Sequence, residues 1–192
     1  DTMTPSIKST LGAEMITNGD FATGDFTGWT AGSSFTGAPD SGATYLDGGA
    51  QLYSHTDNSE ANITQNTSSV GGTALVVGAL YKVTLDVNSI TQADGTPSTT
   101  SDGALQIQVG GTTIATGIIT TGTHTFYGLA GSGEANVLRL KRSNLTLDAR
   151  LDNISLKKVT NDLVGYWALD GANLVPTLDF DGSADSVDMG SA

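Results

Sequence analysis

Two histidines, a scatter of aspartates and a set of outward amides are the groups here that could do chemistry. Their spacing favours holding over reacting. His55 and His124 stand far apart in the chain, and no Gly-x-Ser-x-Gly elbow supplies a nucleophile for either to activate. The glycine-rich turns lack the Lys-Ser/Thr pair that completes a phosphate-binding loop. Carboxylates are numerous, but no Glu pair falls at adjacent strand ends in the manner of a glycosidase. Cysteine is absent, which removes thiol catalysis, disulfides and Cys-based metal centres together. The reading is of a protein that is not an enzyme.

One aspartate has a setting of its own. The apolar residues Leu145, Leu147, Ala149 and Leu151 are odd-numbered, whereas Ile154 and Leu156 are even. A strand keeps both sets in one core only if a residue is inserted, so the pattern predicts a β-bulge at Asp152-Asn153. A bulge re-aims a side chain and frees carbonyls, a natural place for an Asp to meet a metal. Elsewhere alternation sorts the faces. Leu105, Ile107 and Val109 point inward and leave Gln106 and Gln108 outside. Val83, Leu85 and Val87 point in, and Asp86 and Asn88 point out. Leu138 and Leu140 set Arg139 and Lys141 outside, and Leu52 does the same for Gln51, Tyr53 and His55.

The elements that carry these residues are strands. The chain has 192 residues, 25 of them glycine, only 15% charged, and it is rich in Thr and Val. That composition makes poor helices and good strands joined by glycine-marked turns. Expected strands are 13–16, 26–31, 43–46, 50–55, 60–66, 80–90, 103–109, 112–116, 123–128, 134–142 and 145–158. The fold class is all-β, a two-sheet antiparallel sandwich of the jelly-roll kind. Residues 1–12 read as a lead-in arm, 13–159 as the sandwich, and 160–192 as an acidic extension.

Net charge is −12, with an isoelectric point near 4.1. Nucleic acid binding needs a basic stripe to replace counterions, so it is excluded as a partner class. No segment has the apolar length for membrane insertion. Residues 160–192 hold six aspartates and no Lys or Arg, and six of the eight bases lie between Arg139 and Lys158. This separation reads as two solvated surfaces, with an acidic tail meeting a basic region on a neighbouring subunit as the alternative. Starting at Asp1 without a signal-like segment, the chain is expected to be processed or part of something longer.

The run Asn18-Gly19-Asp20-Phe21, Gly28-Trp29, the strand Tyr81-Lys82-Val83-Thr84-Leu85-Asp86-Val87 and the closing Leu151-Asp152-Asn153-Ile154-Ser155-Leu156 resemble jelly-roll carbohydrate-binding modules. Such modules are appended to xylanases and occur in phage tail and virion proteins. The resemblance covers about 13–159. It implies a structural calcium tying the first strand to the last through Asp152 and an oxygen of the Asn18-Gly19-Asp20 turn, with Asp20 the second metal residue. It implies sugar recognition by aromatic faces with amides and carboxylates, a set here of Tyr53, Asp86, Asn88, Gln106, Gln108 and Tyr127, while Trp29 belongs to the core. A second stretch, Asp162–Asp170 with Leu178–Gly190, resembles the opening strands of a laminin-G or concanavalin-like domain. The expected function is a non-catalytic glycan-attachment module of a phage tail fibre or capsid decoration, on a virion surface or otherwise extracellular. Its expected partners are a glycan, other virion or surface subunits, and copies of itself in a homo-oligomer. A purely structural assembly module and an accessory module of a secreted bacterial glycan-degrading enzyme are the alternatives.

Overall fold

A computed structural model of the chain describes residues 7–33, 41–55, 61–143 and 145–163. Its contacts divide the chain into a body, residues 9–162, and a second unit made of residues 1–8 and 163–192. Nearly all of that second unit, with the laminin-G-like stretch, lies outside the described residues.

Eleven strands are described: β1 (Ile7–Glu14), β2 (Thr30–Ser33), β3 (Ser41–Leu46), β4 (Gly49–Ser54), β5 (Ala61–Asn66), β6 (Leu80–Thr91), β7 (Leu105–Val109), β8 (Thr112–Ile118), β9 (Gly122–Leu129), β10 (Val137–Arg142) and β11 (Leu147–Leu163). They form two antiparallel sheets. The first runs β3-β4-β11-β6-β9, with β1 also on β11, and the second runs β2-β5-β10-β7-β8. This is the all-β sandwich the alternation required. The core lies between the sheets, where Leu52, Leu85, Leu151 and Leu156 of the first meet Ile63, Ile107, Leu138 and Leu140 of the second, all fully buried.

Most strand boundaries shift by a few residues from the sequence reading, and the starts of β1 and β2 and the end of β11 shift most. β1 begins at Ile7, inside the expected arm, because pairing to β11 needs only backbone groups there. Thr10 and Thr160 join their hydroxyls across that ladder at 2.6 Å. Residues 26–29 form no strand: the Trp29 amide donates to the Phe26 carbonyl at 2.8 Å, which closes a turn before β2.

The expected bulge is present. Asp152 pairs with Asp86 and Ser155 with Thr84, so two β11 residues stand against Leu85 alone. Asn153 takes φ +49° there, a left-handed conformation that Asn tolerates better than most residues. A second irregularity faces Arg150 and Leu151, which pair with Ser89 and Val87 and skip Asn88. Its signal was in the sequence, since buried Val87 is odd and buried Ile90 is even.

The Asn18–Trp29 run folds on itself and then docks on this bulge. Asn18 donates from its amide to the Asp25 and Thr27 carbonyls, at 3.1 Å each. Trp29 is buried, as expected; its indole N–H donates to the Asn18 carbonyl at 2.9 Å, and its ring stacks on Phe21 at 5.8 Å. The Ile154 amide then donates to the Gly19 carbonyl at 2.8 Å. The backbones are so close that a Cβ on Gly19 would lie 1.9 Å from the Ile154 carbonyl oxygen. Gly19→Ala is therefore expected to destabilise the body by about 3 kcal/mol through forced backbone displacement. Chemical denaturation checks this, with Gly24→Ala as a comparator where strain comes from φ +77° alone.

Candidate functional site

The turn, the bulge and the end of β1 enclose an open pocket of about 320 Å³, lined by Glu14, Asn18, Asp20 and Asn153 among others. Here β11 changes partner: β4 pairs with residues 147–151, and β1 continues along the rest. Glu14 completes the interrupted ladder. Its Oε1 accepts from the amides of Met15, Ile16 and Leu156 at 3.1, 3.0 and 2.9 Å. Its Oε2 accepts from the Ser155 hydroxyl and faces Lys157 Nζ at 3.8 Å. The sequence reading missed Glu14, because a lone Glu at a strand end carries no pattern.

Asp86 and Asp152 stand directly opposite one another across β6 and β11, an unfavourable arrangement for like charges. The two carboxylates share the strain unequally. Asp86 accepts from the Thr123 hydroxyl at 2.6 Å and from the Asn153 amide at 2.7 Å, and these bonds hold its carboxyl below the usual range. Asp152 accepts from the Asn153 backbone amide at 2.7 Å. Burial pushes its carboxyl up, and the charges of Asp86 and Asp20 push it further. The charge of Asp20 thus acts on Asp152 across the bulge.

Whether these residues suit calcium turns on their donors. All are oxygens, the chemistry of a hard cation, and the charge repulsion at Asp152 is what a cation would relieve. Several are already engaged: Asp20 accepts from the Ala22 amide, and the Asn18 and Gly19 carbonyls accept from Phe21, Trp29 and Ile154. Among the described residues no three carboxylates or imidazoles form one metal-holding group. The fit rests on the Asp20–Asp152 pair with backbone oxygens.

The six expected sugar contacts do not share a surface. Tyr53, Asp86, Asn88 and Tyr127 belong to the first sheet, and Gln106 and Gln108 to the second. Even within the first sheet, Tyr53 and Tyr127 are three strands and nine residues of β6 apart, roughly 30 Å by strand spacing and rise. Tyr53 is also engaged: its ring stacks on His55 at 6.2 Å and its hydroxyl meets His55 Nδ1 at 3.1 Å. Beside it Gln51 bonds Asp148 at 2.8 Å, and Arg150 pairs with Asp47 at 3.0 Å. This is a face whose polar groups satisfy one another.

The second sheet differs. Thr30, Thr64, Arg139, Gln108 and Thr113 lie in one cross-strand row over all five strands, and Gly32, Asn62, Lys141 and Gln106 form the next. Thr64, Arg139, Lys141, Gln106 and Gln108 alternate with buried positions and face out, whereas Asn62 is itself buried. Gln108 reaches Thr113 at 3.3 Å and Gln106 at 3.5 Å, long contacts that leave amide capacity to spare. Arg139 pairs with Glu134 at 2.6 Å. Alternation had put Arg139 and Lys141 outside; it could not reveal that β10 lies beside β7, because strand order is not local.

The chain resembles two solved structures in overall outline. A CBM4 structure shares 15% identity, with a TM-score of 0.43 over 74% of this chain and 99% of that one. The enzymatically active domain of bacteriophage CBA120 tailspike protein 4 shares 12% identity, with a TM-score of 0.45 over 76% of this chain. The present chain spans about a fifth of that tailspike chain's length, 21%. Neither a family model nor a curated protein sequence matches it.

The burial of Asp152, with the Asp86 charge opposite it, yields a pH prediction. Because the Asp152 carboxyl is raised in the folded state, its charge costs stability above that pKa, and the cost disappears as pH falls through it. In chelator at neutral pH, Asp152→Asn is expected to raise the melting temperature by about 1–4 °C. The gain should vanish below the ordinary carboxylate pKa, where both forms are neutral. A melting series against pH checks the sign.

Proposed function

We propose that this chain is a non-catalytic glycan-binding sandwich, displayed on a virion or other extracellular surface, whose ligand lies across the outer face of the second sheet. The observation that carries the reading is the pair of cross-strand rows centred on Arg139 and Lys141. They array amides, hydroxyls and cations over five strands, roughly 19 Å, and the long contacts of Gln108 leave amide capacity to spare. Sugar hydroxyls need such donors and acceptors. No Phe, Tyr or Trp occurs on these five strands, so recognition here is by hydrogen bonds and not by stacking. The histidines support a non-catalytic role: His55 bonds Tyr53, and His124 Nε2 meets the Thr120 carbonyl at 2.8 Å. The virion setting draws on the sequence resemblance, and the acidic tail suits assembly into a homo-oligomer.

A glycan array tests the ligand. Wild type is expected to be retained, Gln106→Ala/Gln108→Ala to lose about tenfold in affinity for two lost hydrogen bonds, and Tyr53→Ala to behave as wild type. A blank array for wild type sinks the reading.

A purely structural role is favoured by one other observation. Val76, Val77, Tyr127 and Leu129 are exposed beside the β6–β9 pairing, Tyr127 and Leu129 at 56% each, and exposed apolar groups of this kind suit a protein contact. In that reading Tyr127 touches a neighbour and no sugar.

We also propose a calcium ion between the first and last strands, held by Asp20 and Asp152. Millimolar calcium should then raise the melting temperature of wild type above its value in chelator, and leave Asp152→Asn unmoved. An identical melt with and without calcium removes the ion from the reading.

A further inference from the structure

β9 ends the first sheet, and one of its two edges is open. It pairs with β6 alone, and among the described residues no backbone group of Gly122–Leu129 bonds outside that ladder. An open edge is a template for another strand, and proteins blunt it with short length, charge, proline or a bulge. The other strands that end the two sheets are shorter or broken. β2 has four residues and β3 six, and β8 slips register against β7 where Gly117 takes φ +71°. β9 runs Gly-Thr-His-Thr-Phe-Tyr-Gly-Leu in unbroken register, without proline or an Asp, Glu, Lys or Arg. Exposed apolar side chains gather at its end: Tyr127 and Leu129 on β9, with Val76 and Val77 beside them. The Gly78 amide holds that second pair in place by donating to the Ala130 carbonyl at 2.8 Å.

We infer that β9 pairs with β9 of a second copy, antiparallel about a twofold axis, so that two first sheets run on as one. The axis is normal to the sheet and passes Thr125, which then stands opposite itself. Every pair about such an axis has one parity, so outward residues meet outward ones. Tyr127 thus opposes Thr123 of the other copy, an aromatic on a β-branched residue, and half-buried Phe126 opposes half-buried His124 on the inner side. Charge makes a second copy the partner. The chain carries 20 acidic and 8 basic residues, so two copies repel over most of their surfaces. β9 and Val76–Tyr81 are an approach without charge. Next to them, Lys82 stands across from Tyr127 and Asp86 across from Thr123. With Thr125 at the axis, Lys82 of each copy shares a row with Asp86 of the other, roughly 14 Å away over two strands. That is too far for an ion pair, but it favours this direction of approach, whereas parallel strands would align like charges. The axis also turns the outer faces of both second sheets the same way. On the glycan-binding reading, two such faces meet one surface together.

Sedimentation velocity of the full chain over a concentration series tests the pairing, with hydrogen exchange on the same samples. Wild type is expected to form a dimer. Thr125→Lys sets like charges opposite one another at the axis and should raise the dissociation constant about tenfold or more. Tyr127→Lys should weaken the dimer as well, and Thr125→Val, which keeps a β-branched side chain, should preserve it. Exchange at the β9 amides should slow as wild type is concentrated, and should not slow in Thr125→Lys. A monomer at every concentration, a closed trimer, or a dimer that both lysine variants leave intact overturns the pairing. So does a dimer whose β9 amides stay unprotected, the result that contact through the faces of Tyr127 and Leu129 would give. The glycan array is a separate test: a blank array leaves this dimer standing, and a monomer leaves glycan binding standing.

Discussion

The sandwich depends on how β11 changes parity. This strand is the longest described, and its two halves keep leucines in one core only because Asn153 and Ile154 together face Leu85. The inserted residue turns the Ile154 amide out of the ladder, where it meets the Gly19 carbonyl. A buried amide without an acceptor would cost as much as a lost hydrogen bond, so the turn must come this close. Only a residue without a Cβ permits it. The fold of Asn18–Trp29 follows, with Phe21 and Trp29 packed beneath and the Asn18 side chain tying the loop from within.

The same bulge fixes the electrostatics of the first sheet. It leaves Asp152 facing Asp86, and Asn153 reaches across to bond the Asp86 carboxylate. Asp86 is thereby satisfied and Asp152 is left as the charge under strain. Glu14, one strand over, uses its carboxylate as a substitute carbonyl for three backbone amides. The acidic residues at this end are thus of two kinds, some serving the backbone and one facing repulsion.

Much of the site's logic was legible in single strands and unreadable between them. Alternation correctly set Gln106, Gln108, Arg139 and Lys141 outward, and the parity break located the bulge. It grouped Tyr53 and Tyr127 with the glutamines only because all were outward. Outward has two meanings in a sandwich, and the sheet to which each strand belongs is set by long-range pairing. β10 joins β7 across some thirty residues of sequence, and that pairing places Arg139 beside Gln108. Equally, no local signal shows that Tyr53 spends its ring and hydroxyl on His55.

By itself the sequence determined the all-β class, the inward faces, the burial of Trp29 and the interruption at Asp152-Asn153. Each follows from residue type and a period of two, which act within a few residues. Tertiary structure alone decided which outward faces coincide, that Asp86 and Asp152 oppose one another, and that Arg139 and Lys141 of β10 stand beside Gln108 and Gln106 of β7. Those facts arise from strand order and register, which are set by the packing of the whole core.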